Sequence, residues 1–223
     1  MNSSLNDDRP TFGDGSGRSS DVYYILIETR DPTGRADERG FRFEVARDEN
    51  GPDLEDLGKQ ALERAEEELS AGRIESGIAL LETANDLTTG PDAAYRLYKV
   101  YFNGEGVERN VPRSFRRLKI AAERGSRDAL RTLGLFYQYG GRSVERDPDK
   151  AIECYTKAAE EYGDAESFRA LGVIYMRGVD APRDMAKARE CFRRGAELGD
   201  YLSRFFIAWL DRDENESQSD AAA

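Results

Sequence analysis

The chain has 223 residues, no histidine and a formal net charge of −11 at pH 7, with 39% hydrophobic and 35% charged residues. This polar composition suits an elongated repeat array better than a compact globule, and the acidity argues against nonspecific binding to nucleic acid. The missing histidine removes most general acid–base catalysis at neutral pH, and no apolar run approaches the ~20 residues that span a bilayer. We therefore expect no enzyme, no catalytic residue, no cofactor, no metal site and no membrane insertion.

Residues 1–20 are rich in Ser, Gly, Asn and Asp and lack apolar periodicity, which predicts a disordered leader. This stretch has neither the basic segment nor the apolar segment of a signal peptide. We therefore expect a cytoplasmic protein.

Residues 21–50 contain two strand-like runs, "DVYYILIET" and "FRFEV", separated by the turn-rich "RDPTGRADERG". This pattern predicts a β-hairpin with a long loop. A lone two-stranded hairpin is marginal in water, so we expect it to pack on the rest of the protein or to pair with a partner's edge strand. The following "RDENGPD", residues 47–53, is interpreted as a linker.

From Leu54 the apolar residues recur with helical spacing. "LEDLGKQALERAEEEL" and "ESGIALLETANDL" each place apolar side chains along one stripe, and "SAGR" joins them. Residues 54–90 are therefore predicted to form an antiparallel helix pair.

Three self-similar units follow, at residues 91–126, 127–163 and 164–199. In each unit a leucine is followed by a tyrosine, a glycine, an Asn or Asp suited to an N-cap, a small pair and a closing glycine. The leucines are Leu97, Leu133 and Leu171, and the tyrosines are Tyr101, Tyr137 and Tyr175. The N-cap candidates are Asn110, Asp147 and Asp184. Residues 200–211 are predicted to be a lone capping helix, and residues 212–223 a disordered acidic tail.

These units resemble SEL-one-like repeats, which are relatives of the tetratricopeptide repeat with a longer loop between the paired helices. The resemblance covers roughly residues 91–211, while residues 54–90 resemble a degenerate tetratricopeptide pair. It implies an all-α fold, a right-handed α/α solenoid superhelix, here with a short N-terminal β-hairpin. Departures include Tyr98 where the family prefers glycine, and a third loop, "GVDAPRD", that lacks the second glycine.

The Gly104-x-Gly106 pair in "YFNGEGVERN" could be interpreted as a phosphate-binding loop. Such loops follow a strand and open a helix, whereas here a helix comes first and no Gly-Lys-Ser/Thr follows. The pair is therefore interpreted as a connection between two helices.

Two further features have simple interpretations. Cys154 and Cys191 occupy equivalent positions of two units and are expected to be buried free thiols, because equivalent positions in stacked repeats lie too far apart for a disulfide. The basic run could be a solvated surface, balanced by the acidic N-terminal part, or a patch for an acidic partner. Its members are Arg113, Arg116, Arg117, Arg124 and Arg127, with Lys119 and Arg131.

The resemblance further implies that the first helix of each unit lines a concave groove. By helical spacing the groove residues would be Tyr95, Lys99, Phe102, Arg131, Gln138, Arg169 and Met176, with Leu135, Val173, Phe205 and Trp209 either in the groove or partly in the core. We expect a noncatalytic adaptor or scaffold that binds an acidic or extended segment of another protein there, and charge reversal of Arg131 and Arg169 to weaken binding without unfolding. Two alternatives remain open: an immunity or antitoxin-type inhibitor of a basic effector, or a structural homo-oligomer that associates through the hairpin.

Overall fold

The computed structural model describes the backbone of residues 22–27, 41–46, 53–141 and 144–221, and side chains within 53–141 and 144–212. The predicted leader 1–20, the loop between the predicted strands and nearly all of the linker lie outside the described residues. The chain divides into two compact units, Met1–Asp53 and Leu54–Ala223.

The described part of the first unit is a pair of antiparallel strands. Strands β1 (Val22–Ile27) and β2 (Phe41–Ala46) are in register with Val22 opposite Ala46 and Ile27 opposite Phe41. They coincide with the two apolar runs of the sequence.

The described part of the second unit is an α-solenoid of nine helices. Helices α1 and α2, α3 and α4, α5 and α6, and α7 and α8 pack as pairs, and the second helix of each pair contacts the first helix of the next. The helices are α1 (Leu54–Ser70), α2 (Ile74–Leu87), α3 (Asp92–Asn103), α4 (Val111–Glu123), α5 (Arg127–Tyr139), α6 (Pro148–Tyr162), α7 (Ala165–Arg177), α8 (Met185–Glu197) and α9 (Tyr201–Ala221). The all-α solenoid expected from the sequence is confirmed.

Helix α9 is the first helix of a pair that has no second helix among the described residues. It runs on to Ala221, through residues that the sequence assigned to a disordered acidic tail. Its apolar half, up to Leu210, packs on α8, and the acidic half continues the same helix.

The Asn or Asp in each loop caps the second helix of its unit, as predicted. Asn110, Asp147 and Asp184 each accept a hydrogen bond through the side chain from the backbone amide three residues later, at 2.9, 3.1 and 2.9 Å. Their own amides donate to the carbonyl oxygens of the recurrent tyrosines at 2.8–2.9 Å. The loop signature therefore closes the turn between two helices, and Gly104 supplies the left-handed residue at the end of α3.

The core explains the recurrent Leu-Gly pair. A Cβ added to Gly134 would lie 2.6 Å from the ring of Tyr155, and one added to Gly172 would lie 2.6 Å from the ring of Phe192. Both rings are fully buried. Each glycine thus lets the large aromatic residue of the second helix pack directly on the backbone of the first.

Candidate functional site

The candidate site is the A-helix face, which we define as the residues predicted to line the groove on the first helices α3, α5, α7 and α9. In α3 these are Tyr95, Lys99 and Phe102, of which only Lys99 is fully exposed. Tyr95 and Phe102 pack against the core around Tyr98, with ring centroids 5.6 and 5.4 Å from its ring. The N-terminal end of the face is therefore partly a packed aromatic cluster.

Arg131, on α5, binds carboxylates of its own protein. Its Nη1 donates to Oδ1 of Asp164 at 2.6 Å, and Nη2 to Oδ1 of Asp128 at 2.7 Å. Asp164 is the N-cap of α7, and its other oxygen accepts from the backbone amide and hydroxyl of Ser167 at 3.0 and 2.6 Å. Partial burial lowers the pKa of Arg131, but the carboxylates of Asp164, Glu166 and Asp128 outweigh this effect and raise it.

Arg169 forms a related ion pair one unit later, without the hydrogen bond that Arg131 donates. Its Nε lies 3.1 Å from Oδ2 of Asp200, the residue before α9, which accepts from the amide and hydroxyl of Ser203. We call the two arrangements, Arg131 with Asp164 and Arg169 with Asp200, the arginine latches. They join the first helices of successive units, so the two arginines are not free cations awaiting a partner.

Gln138 and Met176 also have internal contacts. Gln138 donates through Nε2 to Asp180 at 3.0 Å and accepts from the hydroxyl of Tyr155 at 3.1 Å. Met176 packs, together with Val173, against the cluster around Phe192.

The exposed apolar residues of the A-helix face lie on α5 and α9. Leu135 is 46% exposed on α5, and on α9 Phe205 is 60% and Trp209 39% exposed. These three side chains are therefore exposed rather than part of the core, and their assignment to a groove stays a prediction. The face therefore presents apolar groups beside arginines that are already paired.

The arginines of the basic run do not form one free cationic surface. Arg113 and Arg117 both pair with Glu82 of α2, and Arg113 also lies 4.2 Å from the ring centroid of Tyr101. Arg124 reaches back to Asn85 at 3.1 Å. These contacts fasten the first repeat to the helix pair before it.

The remaining members of the basic run are exposed: Arg116, Lys119 and Arg127. The Nε of Arg127 lies 4.0 Å from Oδ1 of Asp164, and Arg116 carries no ion pair to the described residues. The use of the run as a binding patch stays a prediction.

The two cysteines are half-buried free thiols at equivalent places on α6 and α8. Burial raises the pKa of both Cys154 and Cys191 to about 11. At neutral pH both are therefore protonated and weakly nucleophilic.

Sequence reasoning missed the acidic partners Asp164, Asp200 and Glu82. The pairs join residues 31 to 35 positions apart, which helical spacing does not reveal. The recurring Asp-x-x-Ser at 164–167 and 200–203 is the local signal that could have identified the two caps.

Comparison with known proteins identifies the repeats. The Sel1 repeat family model matches residues 91–126, 127–162 and 167–200. These matches coincide with the three units of the solenoid to within a few residues.

Curated relatives match part of the chain. A component of an ERAD-associated E3 ubiquitin-protein ligase from Arabidopsis thaliana, HRD3B, is 36% identical over 97 residues, which is 43% of this chain and 15% of that protein. DAP3-binding cell death enhancer 1 of Rattus norvegicus is 30% identical over 82 residues, 37% of this chain and 15% of that protein. The chain thus spans about a seventh of the length of these relatives.

Two solved structures share the fold. A Sel1 repeat protein from Oxalobacter formigenes is 29% identical, with a TM-score of 0.53 over 57% of this chain and 94% of that one. The protective antigen c5321 of uropathogenic Escherichia coli, which displays an SLR fold, is 27% identical, with a TM-score of 0.58 over 68% of this chain and 34% of that one. Within the described part of the chain, no helix combines the length and the apolar character that a membrane crossing requires.

Proposed function

Because the chain is a Sel1-like repeat protein, we propose that it is a noncatalytic scaffold that binds a segment of another protein along its A-helix face. Proteins built from Sel1 repeats generally mediate protein–protein interactions. The relative HRD3B is a component of a ligase assembly, which supports a role as a member of a complex. This proposal makes the A-helix face the concave groove of the solenoid.

The observation that carries the proposal is the exposure of Leu135 on α5 and of Phe205 and Trp209 on α9, at positions that helical spacing assigns to the same face of the first helices. Isolated exposed apolar residues are ordinary, but large ones that recur on one face indicate an interaction site. Tryptophan is also typical of residues that dominate binding energy, and phenylalanine is enriched at protein interfaces.

The arginine latches change the chemistry expected of the partner. Arg131 and Arg169 are neutralised by carboxylates of the protein itself, so the partner gains little by offering its own. We propose that the partner segment instead provides apolar anchor side chains, with Lys99 as an exposed cation at the far end of the face. Charge reversal at the two arginines would destabilise the fold, so a loss of binding in that variant would not show that the arginines contact the partner.

The assignment as a nonenzyme rests on the chemistry of the side chains. The full sequence has no histidine, and the pKa of each thiol lies near 11. Neither an activated thiol nor a histidine base is thus offered for nucleophilic catalysis.

The test uses a double variant, Leu135→Ser with Trp209→Ser, and Val179→Ser as its matched control. Val179 is 72% exposed in the loop after α7, outside the A-helix face. The partner that co-purifies with the wild-type protein should be lost by the double variant and kept by the control, with unchanged circular dichroism in both. Retention of the partner by the folded double variant would refute the proposed face.

We also propose that β1 and β2 form a stable hairpin in the native protein and that the protein acts in the cytoplasm. Amide hydrogen exchange tests the first point, because protection should alternate along both strands if they pair. Cell fractionation tests the second, and recovery in a membrane or secreted fraction would contradict it.

A further inference from the structure

A cleft opens on the opposite side of the solenoid, between the second helices α4 and α6. It has a volume of about 330 Å³, and the buried residues Leu130 and Leu133 of α5 form its floor together with Tyr137. Lys119 and Glu123 lie on the α4 wall, and Glu153 and Lys157 on the α6 wall. This volume lies within the range of clefts that hold ligand or anchor groups.

The corresponding position in the next repeat is filled by the protein itself. Phe168 stands where Leu130 stands in the open cleft, and Arg194 stands where Lys157 stands. The guanidinium of Arg194 lies 4.3 Å from the ring centroid of Phe168 and pairs across the cleft with Glu160 of α6. A larger floor residue and a cross-cleft ion pair thus close that site.

The corresponding position in the preceding repeat is also bridged by an ion pair. There Glu82 of α2 takes the place of Lys119, and it pairs across the interface with Arg117, which takes the place of Cys154. Three equivalent sites therefore occur along the described part of the array, and the first and third are bridged by an ion pair.

The middle site lacks such a bridge. Lys119, Glu123, Glu153 and Lys157 make no ion pair with any other described residue, although each lysine has a glutamate four residues away on its own helix. Glu123 occupies the position of Glu160, yet Lys157 does not reach it as Arg194 reaches its partner. The floor is apolar, and the ammonium groups of Lys119 and Lys157 have no counter-ion within the part of the chain that the structure describes. The ammonium group of Lys119 lies 5.0 Å from the ring centroid of Phe115, and the third lysine of the lining, Lys150, pairs with Asp147.

The alignment of the repeats places Lys119 and Lys157 at nearly the same level along the two helices that form the cleft walls. Lys119 lies six residues after Arg113 and Lys157 seven residues after the equivalent Lys150, on second helices that run in the same direction. Glu153 and Glu123 lie towards the two ends. Two lysines therefore lie near the centre of the cleft above an apolar floor, with Glu153 on one side of them and Glu123 on the other.

We propose that this cleft binds a segment of a partner protein that inserts one apolar side chain over Leu130 and Leu133 and places an adjacent carboxylate between Lys119 and Lys157. An acidic peptide with an apolar anchor matches both the floor and the unpaired ammonium groups, and it would supply the ion pair that the neighbouring sites form internally. This surface does not depend on the A-helix face, so either one can fail without the other.

The test introduces into the middle site the two residue types that close the third site. The closure variant, Leu130→Phe with Lys157→Arg, should let the new arginine stack on the new ring and pair with Glu123. The control, Leu54→Phe with Lys59→Arg, makes the same chemical changes at two exposed positions of α1. Circular dichroism should show both variants folded.

Short synthetic peptides with a central leucine or phenylalanine provide the probe, in three series flanked by glutamate, by lysine or by serine. Glutamate-flanked peptides should bind the wild-type and control proteins. Their affinity for the closure variant should be at least about tenfold lower, which is the loss expected when one buried anchor is displaced. They should slow alkylation of Cys154 in the cleft, while Cys191 in the filled site serves as the internal reference.

A second variant, Lys119→Glu with Lys157→Glu, leaves the floor intact and should lose the glutamate-flanked series while the fold is kept. The proposal is overturned if no glutamate-flanked peptide binds, if lysine-flanked peptides bind equally well, or if the closure variant binds as the wild type does. Protection of Cys191 equal to that of Cys154 would also overturn it, because the peptide would then bind elsewhere.

Discussion

The Arg131 latch predicts a large difference between two N-caps that look alike in sequence. Asp164 caps α7, and its side chain is only 5% exposed, while it also accepts from Arg131 of the preceding repeat. Asp184 caps α8, with a side chain 37% exposed, and receives no arginine. Asp164→Ala should therefore destabilise the protein more than Asp184→Ala.

The magnitude follows from the hydrogen bonds that the Asp164 carboxylate accepts. Removal of an N-cap costs about 1 kcal/mol, and loss of a hydrogen bond between charged groups adds about 1.5–3 kcal/mol. In the Asp164→Ala variant, Asp128 and Glu166 still lie beside Arg131, so its positive charge stays partly compensated. We expect about 2–4 kcal/mol for Asp164→Ala, against about 1 kcal/mol for Asp184→Ala.

The assay is urea unfolding followed by two signals. Circular dichroism reports all helices, whereas the fluorescence of Trp209, the single tryptophan, reports α9. Repeat arrays are stabilised by contacts between neighbours, so weakening the junction between the second and third repeats should move the fluorescence transition to lower urea than the circular dichroism transition. Equal losses of stability in the two variants would refute the role assigned to the latch.

Two further predictions concern thiols and acid stability. Alkylation of Cys154 and Cys191 by N-ethylmaleimide, followed by mass spectrometry, should be slow at pH 8 and should accelerate towards pH 11, because burial raises the pKa of both thiols; rates equal to those of a free cysteine would contradict this. The hydrogen bond from Arg73 lowers the pKa of Glu68 below its ordinary value of 4.5, so this carboxylate stabilises the fold above that value and the stabilisation is lost as the pH falls through the lowered pKa. Glu68→Gln should therefore flatten the fall in unfolding free energy below pH 4.5, and an unchanged acid limb would contradict the assignment.

The fold was predictable because each repeat contains the residues that cap its own helices. Asn110, Asp147 and Asp184 were predicted as N-caps from their position after a glycine-bearing loop, and all three cap their helices. These are local interactions over three residues, which sequence spacing reveals directly. The same local reasoning ended the last helix too early, because the acidic residues after Asp211 do not prevent α9 from continuing.

The site was less predictable because it depends on packing between repeats. Helical spacing predicts that Arg131 and Arg169 lie at equivalent positions of their helices, but it does not show that Asp164 and Asp200 lie opposite them. The pairing depends on how far the next unit is displaced along the array, a quantity set by packing rather than by any one repeat. Both arginines are therefore held by carboxylates of the protein itself, an interaction that one repeat taken alone does not reveal.

Positions that agree in all three repeats and positions that differ have different consequences for function. The tyrosines 101, 137 and 175 and the N-caps that bond to them recur because every unit must close its loop. Leu130 differs from Phe168 at a place where the larger residue fills a cleft, and Lys119 replaces an acidic residue that pairs in the preceding repeat. Both differences remove an internal interaction from one unit only. The middle repeat therefore keeps an open cleft at the position where the neighbouring repeats form stabilising contacts of their own. Binding by the second-helix side of the array is therefore expected at this repeat and not along the whole solenoid.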